Sequence, residues 1–366
     1  MQSLGGCGRL IAGVFAALIS GAGCGVGGGT LAGAGGSAGT TGGSGGHSVI
    51  VGTAGAGATI TTGAAGSRMN CAAIAEPASK AVPDIVILLD TSASMNDTAC
   101  GAGCSGPTKW AASVDAINTV VDATKADVNW GLIFIGDAAG TCDPGVGTIV
   151  GLNASIKSAL ETRTNGSTLV ATGNRPTRAA VSTAMMQLSS TPSSIPRAIL
   201  LITDGTPNCR EGAPDVQTDD ATGAVDAVVA ARTHGVNTLV VGLSTAGGAS
   251  EGVLDDMALS GGYARAASPP YFPAFSSVDL IAAMDGLVAS TTECTYLLPP
   301  PPTDDGTTTR SDIDVRIGDQ PVPRDDNNGW SYTDASMTAI QFNGPSCELV
   351  KAAGGSLGII FPCILI

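Results

Sequence analysis

The sequence predicts an α/β fold: a doubly wound, mostly parallel sheet flanked by helices, followed by a small antiparallel β unit. Three observations predict it. Residues 84–90 (Asp-Ile-Val-Ile-Leu-Leu-Asp) and 197–203 (Arg-Ala-Ile-Leu-Leu-Ile-Thr) are apolar runs of the kind buried on both faces of a parallel sheet. Helical patterns alternate with such runs from about residue 82 to 290. Beyond the stiff break at Pro299–Pro302 the pattern changes, and Ile313, Val315 and Ile317 interleave with Asp314 and Arg316 as in a half-buried strand.

Taken in order, residues 1–23 read as an export signal. Arg9 supplies the positive start, Leu10 to Ile19 an apolar core too short for a membrane span, and Ser20 to Gly23 the small residues before a cleavage site. Gly21-Ala22-Gly23-Cys24 resembles a bacterial lipobox, although Gly21 stands where leucine is preferred. That resemblance implies lipidation at Cys24 and a membrane-anchored lipoprotein, periplasmic or at the cell surface, with the outer membrane favoured. Ordinary cleavage near Ala22 and an uncleaved apolar span stay open. Residues 24–66 are dominated by Gly, Ala, Ser and Thr and read as a flexible tether, because they bury too little to offset the entropy of ordering.

The α/β domain is expected over 67–296, with strands at 84–90, 128–136, 146–152, 197–203 and 236–243, the third of these at a sheet edge. Helices are expected at 108–125, 153–162, 176–189, 219–233, 251–259 and 277–290. Pro176 suits a first helical position, and Ala180, Val181, Ala184, Met185 and Leu188 share one face. Residues 297–366 comprise the proline-rich linker and the β unit, with a turn at Asp326-Asn327-Asn328-Gly329 before Trp330 and Tyr332, and an apolar close over 358–366. The acidic turn at Asp325 lacks the ligand spacing of an EF-hand and reads as solvated.

Composition narrows the partners. Charged residues are 13% of the chain and the formal net charge is −14, with no basic stripe, which argues against nucleic acid. Of the ten cysteines, Cys7 leaves with the signal and Cys24 carries the lipid. The rest form an even set, Cys71, Cys100, Cys104, Cys142, Cys209, Cys294, Cys347 and Cys363, which in an exported chain implies disulfides. Zinc is the weaker explanation, because no C-x-x-C pair occurs and His47 and His234 are remote in sequence.

The chemistry concentrates at two strand ends. Asp90 closes the first apolar run and is followed by Ser92 and Ser94; Asp204 and Gly205 follow the run at 197–203. Ligand sites in such sheets lie just beyond the carboxyl ends of the strands. Carboxylates with neighbouring hydroxyls suit a hard, oxygen-seeking cation. The competing reading of Asp90-Thr91-Ser92-Ala93-Ser94 is a Ser/Thr-rich turn capping the next helix.

Both motifs, in this order, resemble the von Willebrand factor A domain, the fold of integrin I domains, over roughly residues 82–290. Asp90-Thr91-Ser92-Ala93-Ser94 matches the first loop of that family's metal-ion-dependent adhesion site, and Thr203-Asp204-Gly205 matches the third. The resemblance implies a divalent cation, Mg2+ or else Mn2+ or Ca2+, touched by Ser92 and Ser94 and held through water by Asp90 and Asp204. A carboxylate from a protein or polymer partner would complete the coordination. One family loop departs. Where a pattern resembling Gly-Gly-Thr-Pro-Thr is expected, the chain has Gly173-Asn174-Arg175-Pro176-Thr177, so Arg175 takes the threonine position and Thr177 lies two residues on.

A guanidinium roughly 4 Å from a divalent ion costs several kcal/mol. Three arrangements are therefore open. Arg175 points outward while Thr177 or Thr172 supplies the hydroxyl; its charge replaces the ion between Asp90 and Asp204; or the ion is held weakly with one ligand fewer. Metal binding in some form is the expectation. If the domain's termini lie close together, Cys71 pairs with Cys294 and Cys347 with Cys363.

The function expected from the resemblance is surface-tethered adhesion through the metal site, with a metal-free structural or scaffolding lipoprotein as the alternative. An enzyme is not expected. Gly101-Ala102-Gly103-Cys104-Ser105-Gly106 is only half a phosphate loop, with Pro107 in the lysine position, and His234 sits at an expected helix end.

Overall fold

The computed structural model describes residues 74–361 apart from 102, 137–140, 144–150, 166–173, 246–247, 293, 302–309 and 355–356. The export signal, Cys24, the tether, Cys71, Thr172, Cys363 and most of the expected strand 146–152 lie outside the described residues.

Two short strands come first, β1 (Ile74–Pro77) and β2 (Ser79–Lys80). The α/β domain follows with β3 (Asp84–Asp90), a 3₁₀ turn at Ala93–Asn96, α1 (Lys109–Thr124), β4 (Asn129–Ile135), α2 (Ile156–Asn165), α3 (Thr177–Ser189) and β5 (Arg197–Thr203). It continues with α4 (Ala221–Thr233), β6 (Asn237–Leu243), α5 (Glu251–Gly261), β7 (Phe272–Ala274) and α6 (Ser277–Thr292). The sheet runs in the order β4-β3-β5-β6-β7 with every pairing parallel. Each helix expected in this region forms, with ends shifted by a few residues; β7, an edge strand of three residues, is too short to show a pattern in the sequence.

The apolar runs are explained by burial on both faces. In β3, Ile85, Ile87 and Leu89 pack into a core with Ile117 of α1 and Leu280 and Met284 of α6. Val86 and Leu88 point the other way, into a core with Val181 of α3, Val228 of α4 and Leu254 of α5. Successive side chains of a strand alternate faces, so a strand covered by helices on both sides is apolar at every position.

The remainder is antiparallel: β8 (Thr295–Leu297), β9 (Asp314–Ile317), β10 (Gln320–Val322), β11 (Trp330–Tyr332), β12 (Ala339–Phe342), α7 (Pro345–Ala352) and β13 (Leu357–Phe361). These form two sheets, β1-β13-β9-β10 and β11-β12-β8-β2, around one cluster that includes Tyr296, Val315, Trp330, Phe342, Ile359 and Phe361. The unit therefore draws on both sides of the α/β domain. β1 pairs with β13, with Ile74 opposite Phe361, and β2 pairs with β8. The α/β domain is an insertion between β2 and β8 of a small β-sandwich.

Three disulfides form among the described residues: Cys100–Cys104, Cys142–Cys209 and Cys294–Cys347. The last corrects both expected pairings, Cys71–Cys294 and Cys347–Cys363. β8 pairs with β12, and Phe342 N–H donates to the Cys294 carbonyl at 2.8 Å; α7 then begins three residues later and returns Cys347 to Cys294. The domain's two ends do meet, but through β2 and β8, downstream of Cys71. Disulfides of this kind mark an exported protein.

Candidate functional site

β3 and β5 are neighbours in register, with Leu89 opposite Ile202, so their carboxyl ends deliver Asp90 and the Thr203-Asp204 pair to one spot. Asp90 is held from both sides. Its Oδ1 accepts the backbone N–H of Ser92 at 2.8 Å, and its Oδ2 accepts the Thr203 hydroxyl at 2.7 Å. Ser92 Oγ and Ser94 Oγ lie 3.1 Å apart, and Ser94 donates to Asp204 Oδ1 at 2.9 Å. Thr91, between Asp90 and Ser92, donates to the carbonyls of Ile135 (2.7 Å) and Gly136 (3.1 Å), which ties the loop to the end of β4. Asp90, Ser92, Ser94 and Asp204 thus converge as the sequence implies.

The centre of the cluster is taken by Arg175. Its Nε donates to Asp90 Oδ2 at 3.1 Å, and its Nη2 donates to Asp204 Oδ1 at 3.1 Å and to Ser94 Oγ at 2.6 Å. Of the three arrangements open to this residue, the structure shows its charge pairing with both aspartates. Burial disfavours the charge, but Asp90 and Asp204 outweigh that cost and hold the guanidinium above its ordinary pKa. The loop that presents it is fixed through its backbone: Arg175 N–H donates to Asn208 Oδ1 at 2.6 Å, and Asn208 N–H donates to the Arg175 carbonyl at 3.0 Å. Gly205 makes the approach possible, since a Cβ there would lie 2.5 Å from Arg175 Cζ. Thr177, the expected substitute ligand, is the first residue of α3 and donates its hydroxyl to the Arg175 carbonyl at 3.4 Å.

Lys109 completes the cluster, and sequence reasoning missed it. Its Nζ donates to Asp204 Oδ2 at 2.9 Å from the first position of α1. A signal was available, because a cation in the first turn of a helix opposes the helix dipole and calls for a nearby anion. The Asp90 and Asp204 side chains are fully buried, whereas Arg175 and Lys109 keep 15% and 11% of theirs exposed.

This arrangement does not fit a divalent ion. Two carboxylates already face two fixed cations, so the cluster is neutral, and an added ion would leave uncompensated positive charge in a buried site. The carboxylate and Ser94 oxygens that would face an ion are engaged by Arg175 and Lys109. Among the described residues no group of three or more His, Cys, Asp or Glu gathers elsewhere as a metal site.

Around the rim, Cys142–Cys209 joins the segment after β4 to the segment after β5, and Cys100–Cys104 closes the loop leading into α1. His234 is the C-cap of α4, its Nδ1 2.9 Å from the Ala230 carbonyl, a helix-end role remote from the cluster's chemistry.

The model of the von Willebrand factor type A domain matches residues 84–278, more than half of the chain. The chain belongs to the von Willebrand factor A family. Solved structures with a similar fold include the open conformation of the pilus adhesin SpaC from Lactobacillus rhamnosus GG, at 15% identity and a TM-score of 0.42, over 78% of this chain and 39% of that one. Manganese-loaded TRAP protein of Plasmodium vivax aligns at 14% identity and a TM-score of 0.42, over 59% of this chain and 78% of that one. Proximal thread matrix protein 1 from the mussel byssus, with a zinc-occupied adhesion-site motif, aligns at 16% identity and a TM-score of 0.40, over 59% and 47% of the two chains. The chain thus spans about two fifths of the pilus adhesin's length. The curated proteins contain no match. In this von Willebrand factor A domain, the family's two aspartates and two serines are in place around an arginine.

Proposed function

We propose that this is an adhesion-type binding protein, with its contact face at the rim beyond β3 and β5, and that it recognises an acidic group on a protein or polymer partner. The observation that carries the reading is the polarity of the cluster: the carboxylates are sealed inside, and what reaches the surface is the edge of Arg175 and Lys109. The exposed parts of these two cations are where a carboxylate can make a charge-assisted hydrogen bond. The rim disulfides reduce the freedom of the loops around it, which lowers the entropy lost on binding. The reading is of binding rather than turnover.

In the test, beads bearing the full chain are placed on surfaces coated with a polyuronate or with an aspartate-rich peptide, each beside its methyl ester. Retention on the free acids and release from the esters is the expected result. Indifference to esterification on both surfaces would contradict acid recognition.

The N-terminal segment gives this rim its setting. Cleavage after Gly23 and lipidation of Cys24 would anchor the protein in the outer membrane, facing the periplasm or the cell exterior, with 25–66 as the spacer. Labelled palmitate should enter the wild type and not Cys24→Ser; equal labelling of the two would rule the anchor out. A second reading, a structural lipoprotein with a degenerate site, is favoured by one observation, Arg175 at the centre of the cluster. Retention of beads that ignores rim substitutions would select it.

A further inference from the structure

At the cluster of Asp90 and Asp204 the charges of this chain make a metal ion redundant. We infer that Arg175 and Lys109 act together as a built-in counter-cation, so that the rim is fixed in one state whatever divalent ions surround it, and that a cation site is latent beneath them. The inference deepens the binding role proposed for this rim. Its test reads ion binding with no partner present, so a failed adhesion assay leaves it standing.

The argument is geometric. One guanidinium reaches both aspartates and Ser94 through two nitrogens, at distances between 2.6 and 3.1 Å, and the ammonium takes the remaining Asp204 oxygen at 2.9 Å. A planar, permanently charged fork can bridge two carboxylates that a point charge would have to bridge through water. The two cations reach the cluster from different elements, the loop before α3 and the start of α1, so no single side-chain rotation empties it. Gly205 leaves room for the guanidinium and for nothing larger at its own Cα. The oxygens beneath belong to Asp90, Ser92, Ser94 and Asp204, a hard-donor set suited to a small divalent ion once the cations are gone.

The experiment is a titration of the full chain with Mn2+, followed by the paramagnetic signal of the free ion, for wild type, R175Q, K109M and the R175Q/K109M pair. Far-UV circular dichroism checks that each variant is folded. Wild type should leave the free-ion signal at its protein-free value into the millimolar range. The pair should bind one ion per chain at least about 100-fold more tightly, as expected when two charges close to the ion are removed. Each single variant should fall between.

Gly205→Ala offers a route that removes no charge. Its methyl group would displace the guanidinium, and Mn2+ affinity should rise above that of wild type. R175K, which keeps the charge and loses the fork, should stay close to wild type. Tight stoichiometric binding by wild type, or a folded pair that binds no better than wild type, would overturn the inference.

Discussion

The α/β domain and the β-sandwich hold themselves together by different means. The domain buries a five-stranded sheet between two layers of helices, and its core residues need no covalent support; its two disulfides sit at the rim. The sandwich has one small cluster between strands of two to five residues, recruited from both sides of the inserted domain, and its disulfide lies inside it, with Cys294 a member of the cluster and Cys347 packed against it. The difference teaches where crosslinks matter. In a large core they stiffen a surface that has work to do, whereas in a small one they supply stability that burial alone does not provide.

The comparison can be broken by experiment. The largest expected effect comes from Cys294→Ser with Cys347→Ser. Opening that loop should cost about 4 kcal/mol on a chain-entropy basis, and the loss should appear as early melting of the sandwich while the domain's transition stays in place. Calorimetry showing one shared transition, lowered as a whole, would mean that the two regions are not separate units. Leu88→Ala, fully buried between β3 and its covering helices, should remove about 3 kcal/mol from the domain's transition, read by urea unfolding. Opening the short Cys100–Cys104 loop should cost about 2 kcal/mol by the same chain-entropy reasoning. The smallest effect belongs to Met186→Ala, 63% exposed on α3, which should stay within about 0.5 kcal/mol of wild type in the same urea measurement.

The same contrast governs what was legible in the sequence. β3, β4, β5 and β6 announce themselves because burial on both faces leaves five or six apolar or glycine positions in a row. β9 shows its alternation, but β1, β2 and β8 are too short for any period, and the β1–β13 and β2–β8 pairings reach across the whole inserted domain. So the sequence pointed to a β unit and missed that both flanks of the domain build it. At the site, Asp90, Ser92, Ser94 and Asp204 were readable because strand ends fix where they must go. Arg175 was readable as a departure, yet its direction was not, since a long side chain is placed by what surrounds it. Lys109 escaped notice because its place at the start of α1 signals only that some anion is near, and it takes the tertiary contact to single out Asp204.

Crystals soaked in manganese and measured at its absorption edge test the central claim most directly. The account predicts guanidinium density between Asp90 and Asp204 and no anomalous peak there. An anomalous peak bridging the two aspartates, with Arg175 turned out to solvent, would contradict it.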